Sequence, residues 1–118
     1  MHPKKQELPP GLLNLSLMPT LYVYLGIRVF FYTLEHLPIH VHGHYQGRES
    51  KAEFDVVNGK IVDIRFINVK GIQPLRGSEL SNFKTLVLHE ADNILKEWEA
   101  YFLNEQHIAP KIITRRIA

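Results

Sequence analysis

The segment from Ile39 to Tyr45 alternates apolar and polar residues with a period of two, and this constrains the fold more than any other feature of the chain. Such alternation predicts a β-strand whose histidines share one face and whose apolar side chains share the other. The following Gln46-Gly47 is typical of a tight hairpin turn, and residues 48–56 continue as a return strand. Pairing Tyr45 with Arg48 matches polar with polar and apolar with apolar residues. The other pairs in this register are His44 with Glu49, His42 with Lys51, His40 with Glu53, Val41 with Ala52 and Ile39 with Phe54.

Further strands are predicted on both sides of this hairpin. Residues 21–25 and 27–34 are rich in β-branched and aromatic residues, which favour strands. Asn58-Gly59 marks a second hairpin turn. We expect a three-residue loop there, because a two-residue loop would set Asp63 opposite Phe54 and bury its carboxylate without a partner. The three-residue loop instead aligns Phe54 with Val62 and Ala52 with Ile64.

A long amphipathic helix is predicted after the strands. Residues 68–77 contain two glycines and a proline and are typical of a loop. Ser78 is a suitable N-cap, and apolar residues then recur at helical spacing as far as about Asn104. This stripe is expected to pack on the sheet, with Trp98 as an anchor. Its members are Leu80, Phe83, Val87, Ala91, Ile94, Trp98 and Tyr101.

These elements predict an α+β fold, in which a curved antiparallel β-sheet of four or five strands carries one long C-terminal helix on one face. The 118 residues are enough for one domain with one core. We place that domain at residues 18–107, after an N-terminal arm (1–17) and before a basic C-terminal tail (108–118). The tail has strand-forming character from Lys111 onward, so it either adds an edge strand or stays mobile.

Composition narrows the kinds of site that the chain can build. It has no cysteine, which excludes disulfides and thiolate metal ligands. Its formal charge of +2 is too small to indicate nucleic-acid binding by itself. No stretch reaches the roughly 18–20 apolar residues of a membrane span, and prolines interrupt the leucine-containing N-terminus. We therefore expect a cytoplasmic protein without a membrane partner.

The strand histidines are the first candidate for chemistry. Alternate residues on a strand point the same way, about 6.5–7 Å apart along the chain, so His40 and His42 could converge on one ion. We expect a divalent metal of zinc or nickel type, with His44, His36 or Glu53 as a further ligand. An open coordination position would permit water activation, with His42 and His40 as the catalytic residues of a hydrolase. The alternative is a plain solvated face, on which the histidines pair with carboxylates of the next strand.

Nucleic-acid contact is the second candidate. Histidines near Arg48 and Lys51 could stack bases and hold phosphate, and Arg115 and Arg116 of the tail could add electrostatic contact. In a ribonuclease that needs no metal, His42 would act as the base, and Lys51 or Arg48 would stabilise the phosphorane. The alternative is that these positive residues are ordinary solvated side chains, since the return strand also carries acidic residues that repel phosphate.

Three short motifs resemble a known family. Met18-Pro19-Thr20 leads into a strand, Pro38 precedes the spaced pair His40 and His42, and Trp98 lies in the predicted helix. Over roughly residues 18–102 the chain resembles the bacterial domain-of-unknown-function family numbered 4160. The resemblance implies a small binding or regulatory module, one component of a two-gene pair of toxin–antitoxin type, with a protein partner from the adjacent gene. RNA contact and a homodimer are further expectations, and whether the protein is an enzyme stays open.

Overall fold

The computed structural model describes residues 18–35, 37–104 and 108–117. The chain forms a six-stranded, mostly antiparallel sheet and one long helix, so the predicted α+β fold is confirmed with one strand more than the upper count. The elements are β1 (Thr20–Tyr24), β2 (Ile27–Phe30), β3 (His40–Tyr45), β4 (Arg48–Val57), β5 (Lys60–Asn68), α1 (Gly77–Asn104) and β6 (Lys111–Ile113). The order across the sheet is β5-β4-β3-β2-β1-β6, and only β6 runs parallel to its neighbour, β1.

The helix packs on one face of the sheet and closes the core there. Phe83, Ile94 and Trp98 are among its buried residues, in agreement with the predicted stripe. Gly43 of β3 lies directly beneath Phe83, because a Cβ atom at Gly43 would stand 2.5 Å from Cδ1 of that ring. A strand residue without a side chain therefore lets the helix approach closely. Within the described ranges, no helix is long and apolar enough to cross a membrane.

The hairpin of β3 and β4 has the predicted register. Tyr45 pairs with Arg48, and all the polar and apolar pairs up to His40 with Glu53 follow as expected. The register continues one step further, since the backbone N–H of Phe54 donates to the carbonyl of Ile39 at 2.9 Å. Val41 consequently faces the helix, and the three histidines face away from it.

The hairpin of β4 and β5 differs from the prediction. Asn58 and Gly59 form a two-residue turn, with Val57 paired to Lys60, and not a three-residue loop. The register shifts beyond Val56, so Val62 is an extra residue in β5. Asp63 is exposed as expected, but the bulge and not a longer loop is the cause. The bulge sets Phe54 opposite Ile64 and Ala52 opposite Phe66.

The remaining parts of the fold are the ends of the chain and the β2–β3 connection. The strand predicted over residues 27–34 ends at Phe30, and the chain then crosses to β3 through residues 31–39. Of the two alternatives for the tail, residues 111–113 add an edge strand. The tail also touches the helix side, where Arg116 donates to Asn82 at 3.0 Å and the N–H of Ile117 to the Tyr24 hydroxyl at 3.0 Å. The predicted N-terminal arm (1–17) lies outside the described residues.

Candidate metal centre

Two of the three strand histidines are buried on the face opposite the helix. His40 is 4% exposed and His42 is 2% exposed, although a solvated face was one interpretation of the sequence. Aromatic rings surround them. The ring of His42 stacks on Phe30 with centroids 5.4 Å apart, and it meets the edge of Tyr32 at 4.5 Å. Phe30 is the β2 partner of His42, so strand pairing itself brings these rings together.

The hydrogen bonds of the two rings decide where their protons lie. Nδ1 of His40 is 2.6 Å from the carbonyl oxygen of Pro38, and Nδ1 of His42 is 3.0 Å from Oε2 of Glu49. Both oxygens can only accept, so each Nδ1 carries the proton and donates it. In a neutral ring, each Nε2 then holds a free lone pair. A neutral imidazole with such a lone pair is the form that binds a metal.

Both Nε2 atoms are buried and have no hydrogen-bond partner among the described residues. The Oε1 atom of Glu35 lies 3.5 Å from Nε2 of His40 and 3.4 Å from Nε2 of His42. Neither contact has the geometry of a hydrogen bond. Ligands of a tetrahedral zinc ion with bonds near 2.0–2.1 Å stand about 3.3 Å apart, which is close to both distances. The three ligand atoms all lie within 4.8 Å of one another.

Burial also sets the charge state of one ligand. It lowers the pKa of His40, and the neighbouring His42 and Lys51 lower it further, against the opposing effects of the Pro38 carbonyl and Glu35. His40 is therefore neutral at physiological pH. Desolvation of this kind disfavours the charged form of any imidazole.

Glu49 fixes the orientation of His42 through the contact with Nδ1 of its ring. This carboxylate is 3% exposed and accepts three hydrogen bonds, from Nδ1 of His42, from Nδ1 of His44 at 3.2 Å and from the Tyr32 hydroxyl at 3.2 Å. Burial opposes its ionisation, but these bonds outweigh burial and hold the pKa of Glu49 below its ordinary value. Burial and the same carboxylate raise the pKa of Tyr32 to about 12. Glu49 is thus a buried anion that orients a potential metal ligand, as carboxylates behind zinc-bound histidines do.

The other predicted ligands do not join this group. His44 lies two residues further along the strand and uses its Nδ1 on Glu49. Glu53 is the cross-strand partner of His40, but its carboxylate contacts Lys51 at 3.4 Å and Arg65 at 3.2 Å. His36 lies outside the described residues. The carboxylate beside the histidines comes from Glu35 instead, because the β2–β3 connection folds back over this face.

The four predicted nucleic-acid contacts are not brought together. Lys51 lies on the histidine face, whereas Arg48 lies on the helix face, where it donates to the carbonyl of Pro74 at 3.1 Å and lines a cavity of about 110 Å³. Successive residues of a strand point to opposite faces, so the side chains of residues 48 and 51, three positions apart, lie on different faces of the sheet. Arg115 is exposed, and Arg116 is held against the helix by Asn82.

Three residues of the site were not predicted from the sequence: Glu35 as a ligand, and Glu49 and Tyr32 as its support. An acidic residue five positions before His40, in a short connection turned by Pro38, is the signal that could have identified Glu35. The role of Glu49 depends on burial, which the alternating pattern does not reveal. Its pairing with His44, in contrast, was part of the predicted register.

Comparison with known proteins identifies the family. The model of a domain of unknown function, DUF4160, matches residues 26–99, which is more than half of the chain and includes all of the residues that surround the histidine pair. Comparison with curated proteins and with solved structures finds no match. The chain therefore belongs to the DUF4160 family.

Proposed function

We propose that this protein is a metal-dependent hydrolase with one divalent ion of zinc type held by Glu35, His40 and His42. The observation that carries the proposal is the pair of buried Nε2 atoms that have no hydrogen-bond partner among the described residues and that each lie within 3.5 Å of one carboxylate oxygen. A buried polar atom without a partner costs about 1–3 kcal/mol, so two of them side by side require an explanation. A shared ion satisfies both. Two histidines and one glutamate are also a donor set of catalytic zinc sites.

Three possible ligands converge among the described residues, and this number supports catalysis over a structural role. Structural zinc sites are closed by four protein ligands, whereas catalytic sites use three and leave one position open. An ion bound there would supply activation of water for attack at neutral pH. The residues of the chain would do the rest: Glu49 and the Pro38 carbonyl keep both imidazoles in the tautomer that binds through Nε2, and Phe30 and Tyr32 limit access of bulk water to the rings.

The charge beside the centre favours an anionic substrate, and we propose a phosphodiester such as RNA. Lys51 lies opposite His42 on the same face, and its ammonium group is close enough to lower the pKa of His40. Its side chain is 28% exposed, so a ligand that replaces its contact with Glu53, at 3.4 Å, can reach it. A cation beside a metal centre stabilises the charge that develops on a phosphoryl oxygen during attack.

The test is hydrolysis of bis(p-nitrophenyl) phosphate and of a mixed RNA by protein that has been stripped with a chelator and reloaded with zinc, nickel or manganese. We expect activity only after reloading. It should be lost in His42→Ala and Glu35→Gln and kept in the control His89→Ala, whose ring lies on the exposed helix surface. Full activity of the stripped protein, or no turnover by protein that holds one equivalent of metal, would contradict the proposal.

A cytoplasmic binding or regulatory module of a bacterial two-gene, toxin–antitoxin-type pair is the second candidate. An apolar surface supports it, since Leu34 is 82% exposed and Leu37 is 67% exposed in the connection that carries Glu35. Exposed apolar side chains favour contact with a protein where they adjoin in one patch, and these two lie three positions apart in the chain. We expect the product of the adjacent gene to co-purify with the wild-type protein and to be lost with Leu34→Ser/Leu37→Ser. Equal recovery of the two would argue against this binding surface.

A further inference from the structure

Strand β5 forms one edge of the sheet, and of the described residues none pairs with its outer side. It is nine residues long, whereas the strand at the opposite edge has three. Its helix-facing residues Ile61, Ile64 and Phe66 are only half-buried, so the helix covers this edge of the sheet only in part. A long edge strand offers unpaired N–H and C=O groups to another strand.

The hydrogen bonds of the neighbouring strand indicate which groups of β5 face outward. The N–H of Phe54 donates to Ile39 on the β3 side, so the polar backbone groups of Phe54 point away from β5. Phe54 and Ile64 are therefore a pair without mutual hydrogen bonds. In such a pair the groups of both residues point outward, which directs the N–H and C=O of Ile64 to the open edge.

The charges on either side of Ile64 are opposite. Asp63 and Arg65 both lie on the face away from the helix. Arg65 is 44% exposed and contacts Asp55 at 3.1 Å and Glu53 at 3.2 Å. Asp63 is exposed and has no ion pair with any residue that the structure describes. A strand that carries this triplet is complementary to a second copy of itself, provided that the two copies run antiparallel.

Only one register satisfies both the charges and the faces. Centring a two-fold axis on Ile64 sets Asp63 of each copy opposite Arg65 of the other, in positions where side chains approach closely. Centring it on Asp63 or on Arg65 would oppose two like charges. Odd registers would set charged side chains against the half-buried apolar ones. Beyond Val62 the bulge interrupts regular pairing, so the contact spans about five residues of each strand.

We propose that β5 is a dimerisation edge that pairs antiparallel with β5 of a second copy about Ile64, which extends the sheet across two molecules. The two Ile64 residues exchange both backbone hydrogen bonds, and two reciprocal Asp63–Arg65 ion pairs set the register. Such an isologous contact closes on itself and does not propagate into fibres. The dimer is independent of the metal centre, which lies on other strands, so failure of either proposal leaves the other standing.

Charge reversal in separate copies tests the pairing by sedimentation equilibrium over a wide protein concentration range. Asp63→Arg alone and Arg65→Asp alone should each weaken self-association at least about tenfold, which corresponds to 1.4 kcal/mol. Mixing the two variants should restore dimers, because one strand then carries arginine at both positions and the other carries aspartate at both. Asp92→Arg, an exposed substitution on the helix, is the control and should dimerise as the wild type does.

Hydrogen exchange of the wild-type protein provides a second measurement that needs no variant. The amide of Ile64 should exchange quickly at low concentration and become protected as dimers form. A wild-type chain that stays monomeric at every concentration would overturn the proposal, as would a mixture of the two variants that fails to associate. Protection of Ile64 in the monomer would also overturn it, because another part of the chain would then occupy the edge.

Discussion

His42 and Glu49 form a buried pair in which Nδ1 of the ring lies 3.0 Å from a carboxylate that is 3% exposed. The two residues belong to different strands of one hairpin, but they are not direct cross-strand partners, since His42 faces Lys51 and Glu49 faces His44. The diagonal contact uses Nδ1 of His42 and leaves its Nε2 3.4 Å from Oε1 of Glu35. One carboxylate therefore fixes both the tautomer and the direction of a ring that we propose as a metal ligand.

Replacing Glu49 with Gln is expected to weaken zinc binding by about 10–100-fold, the usual cost of losing such an outer partner. The glutamine side chain would carry no negative charge. Its NH₂ group is itself a donor and would face the donors that now bond to Glu49. Affinity is measured by competition with a chromophoric chelator on protein whose fold is verified by circular dichroism.

The matched control for this substitution is Glu53→Gln. Glu53 is a carboxylate of the same strand and the same face. Its backbone pairs with that of His40, but its carboxylate forms ion pairs with Lys51 and Arg65. Its replacement should leave zinc affinity unchanged. If Glu49→Gln bound zinc as tightly as Glu53→Gln does, Glu49 would have no orienting role.

Gly43→Ala should destabilise the protein by about 1–3 kcal/mol, as overpacking of a core does. The new methyl group would stand 2.5 Å from Cδ1 and 2.6 Å from Cε1 of Phe83. Because the clash is with one ring, Phe83→Leu should cost less in the Gly43→Ala background than in the wild type. Urea unfolding of the four proteins gives this coupling energy directly. Strict additivity would show that the two residues do not compete for space.

Deletion of Val62 should be tolerated. The bulge residue is 62% exposed, and its removal joins Ile61 to Asp63 without changing which residues of β5 face the helix. The free energy of unfolding should fall by less than the roughly 1 kcal/mol of a typical point substitution. Deleting Arg65 instead would turn Phe66 to the wrong face and should cost several times more. Similar losses for both deletions would contradict the observed register.

The same deletion also bears on the proposed dimer. Without the bulge, regular pairing between two β5 strands can continue past Asp63 toward the turn. The dimer of the Val62 deletion variant should therefore be tighter than that of the wild type in sedimentation equilibrium. Weaker association would indicate that the bulge is part of the interface.

The ionisation of Glu90 makes the free energy of unfolding depend on pH in the acid range. Burial opposes its ionisation, but hydrogen bonds from Asn93, His89 and Tyr22 outweigh burial and hold the pKa of Glu90 below its ordinary 4.5. A carboxyl group with a lowered folded pKa stabilises the protein above the unfolded pKa, and this stability is lost as pH falls through the folded pKa. We expect the free energy of unfolding to decline below pH 4.5 for this reason.

Tyr22→Phe tests this origin of the acid sensitivity. The Tyr22 hydroxyl donates to Oε1 of Glu90 at 3.0 Å, so its removal should bring the folded pKa closer to the unfolded one and flatten the decline. Tyr24→Phe is the control, because that hydroxyl accepts from the amide of Ile117 and meets no carboxylate among the described residues. Urea unfolding at a series of pH values compares the slopes. An unchanged slope in Tyr22→Phe would assign the acid loss to other carboxylates.

The elements with a regular local pattern were predictable. Alternation together with Gln46-Gly47 yields the β3–β4 register residue by residue, because a slip of one would turn every histidine into the core. The helical stripe from Leu80 onward likewise predicts the packing of α1. The β4–β5 register was missed because a bulge at Val62 satisfies the same preference for an exposed Asp63, and the two solutions look alike from the residue pattern.

The candidate site was predictable only in its two histidines. Their shared direction follows from strand geometry, whereas their surroundings depend on where residues 31–35 lie after β2. Those residues bring Glu35 and Tyr32 to the rings, while Glu53 contacts Arg65. A loop conformation of this kind has no periodic signature, so neither the third ligand nor the buried role of Glu49 could be read from spacing.

The most direct measurement of the central claim is a zinc-loaded crystal structure with anomalous differences collected on both sides of the zinc absorption edge. We predict one strong peak about 2.0–2.1 Å from Nε2 of His40 and of His42, and about 2.0–2.2 Å from a carboxylate oxygen of Glu35. A peak that lies only at surface groups such as the exposed ring of His89, with both buried Nε2 atoms left without an ion, would contradict it.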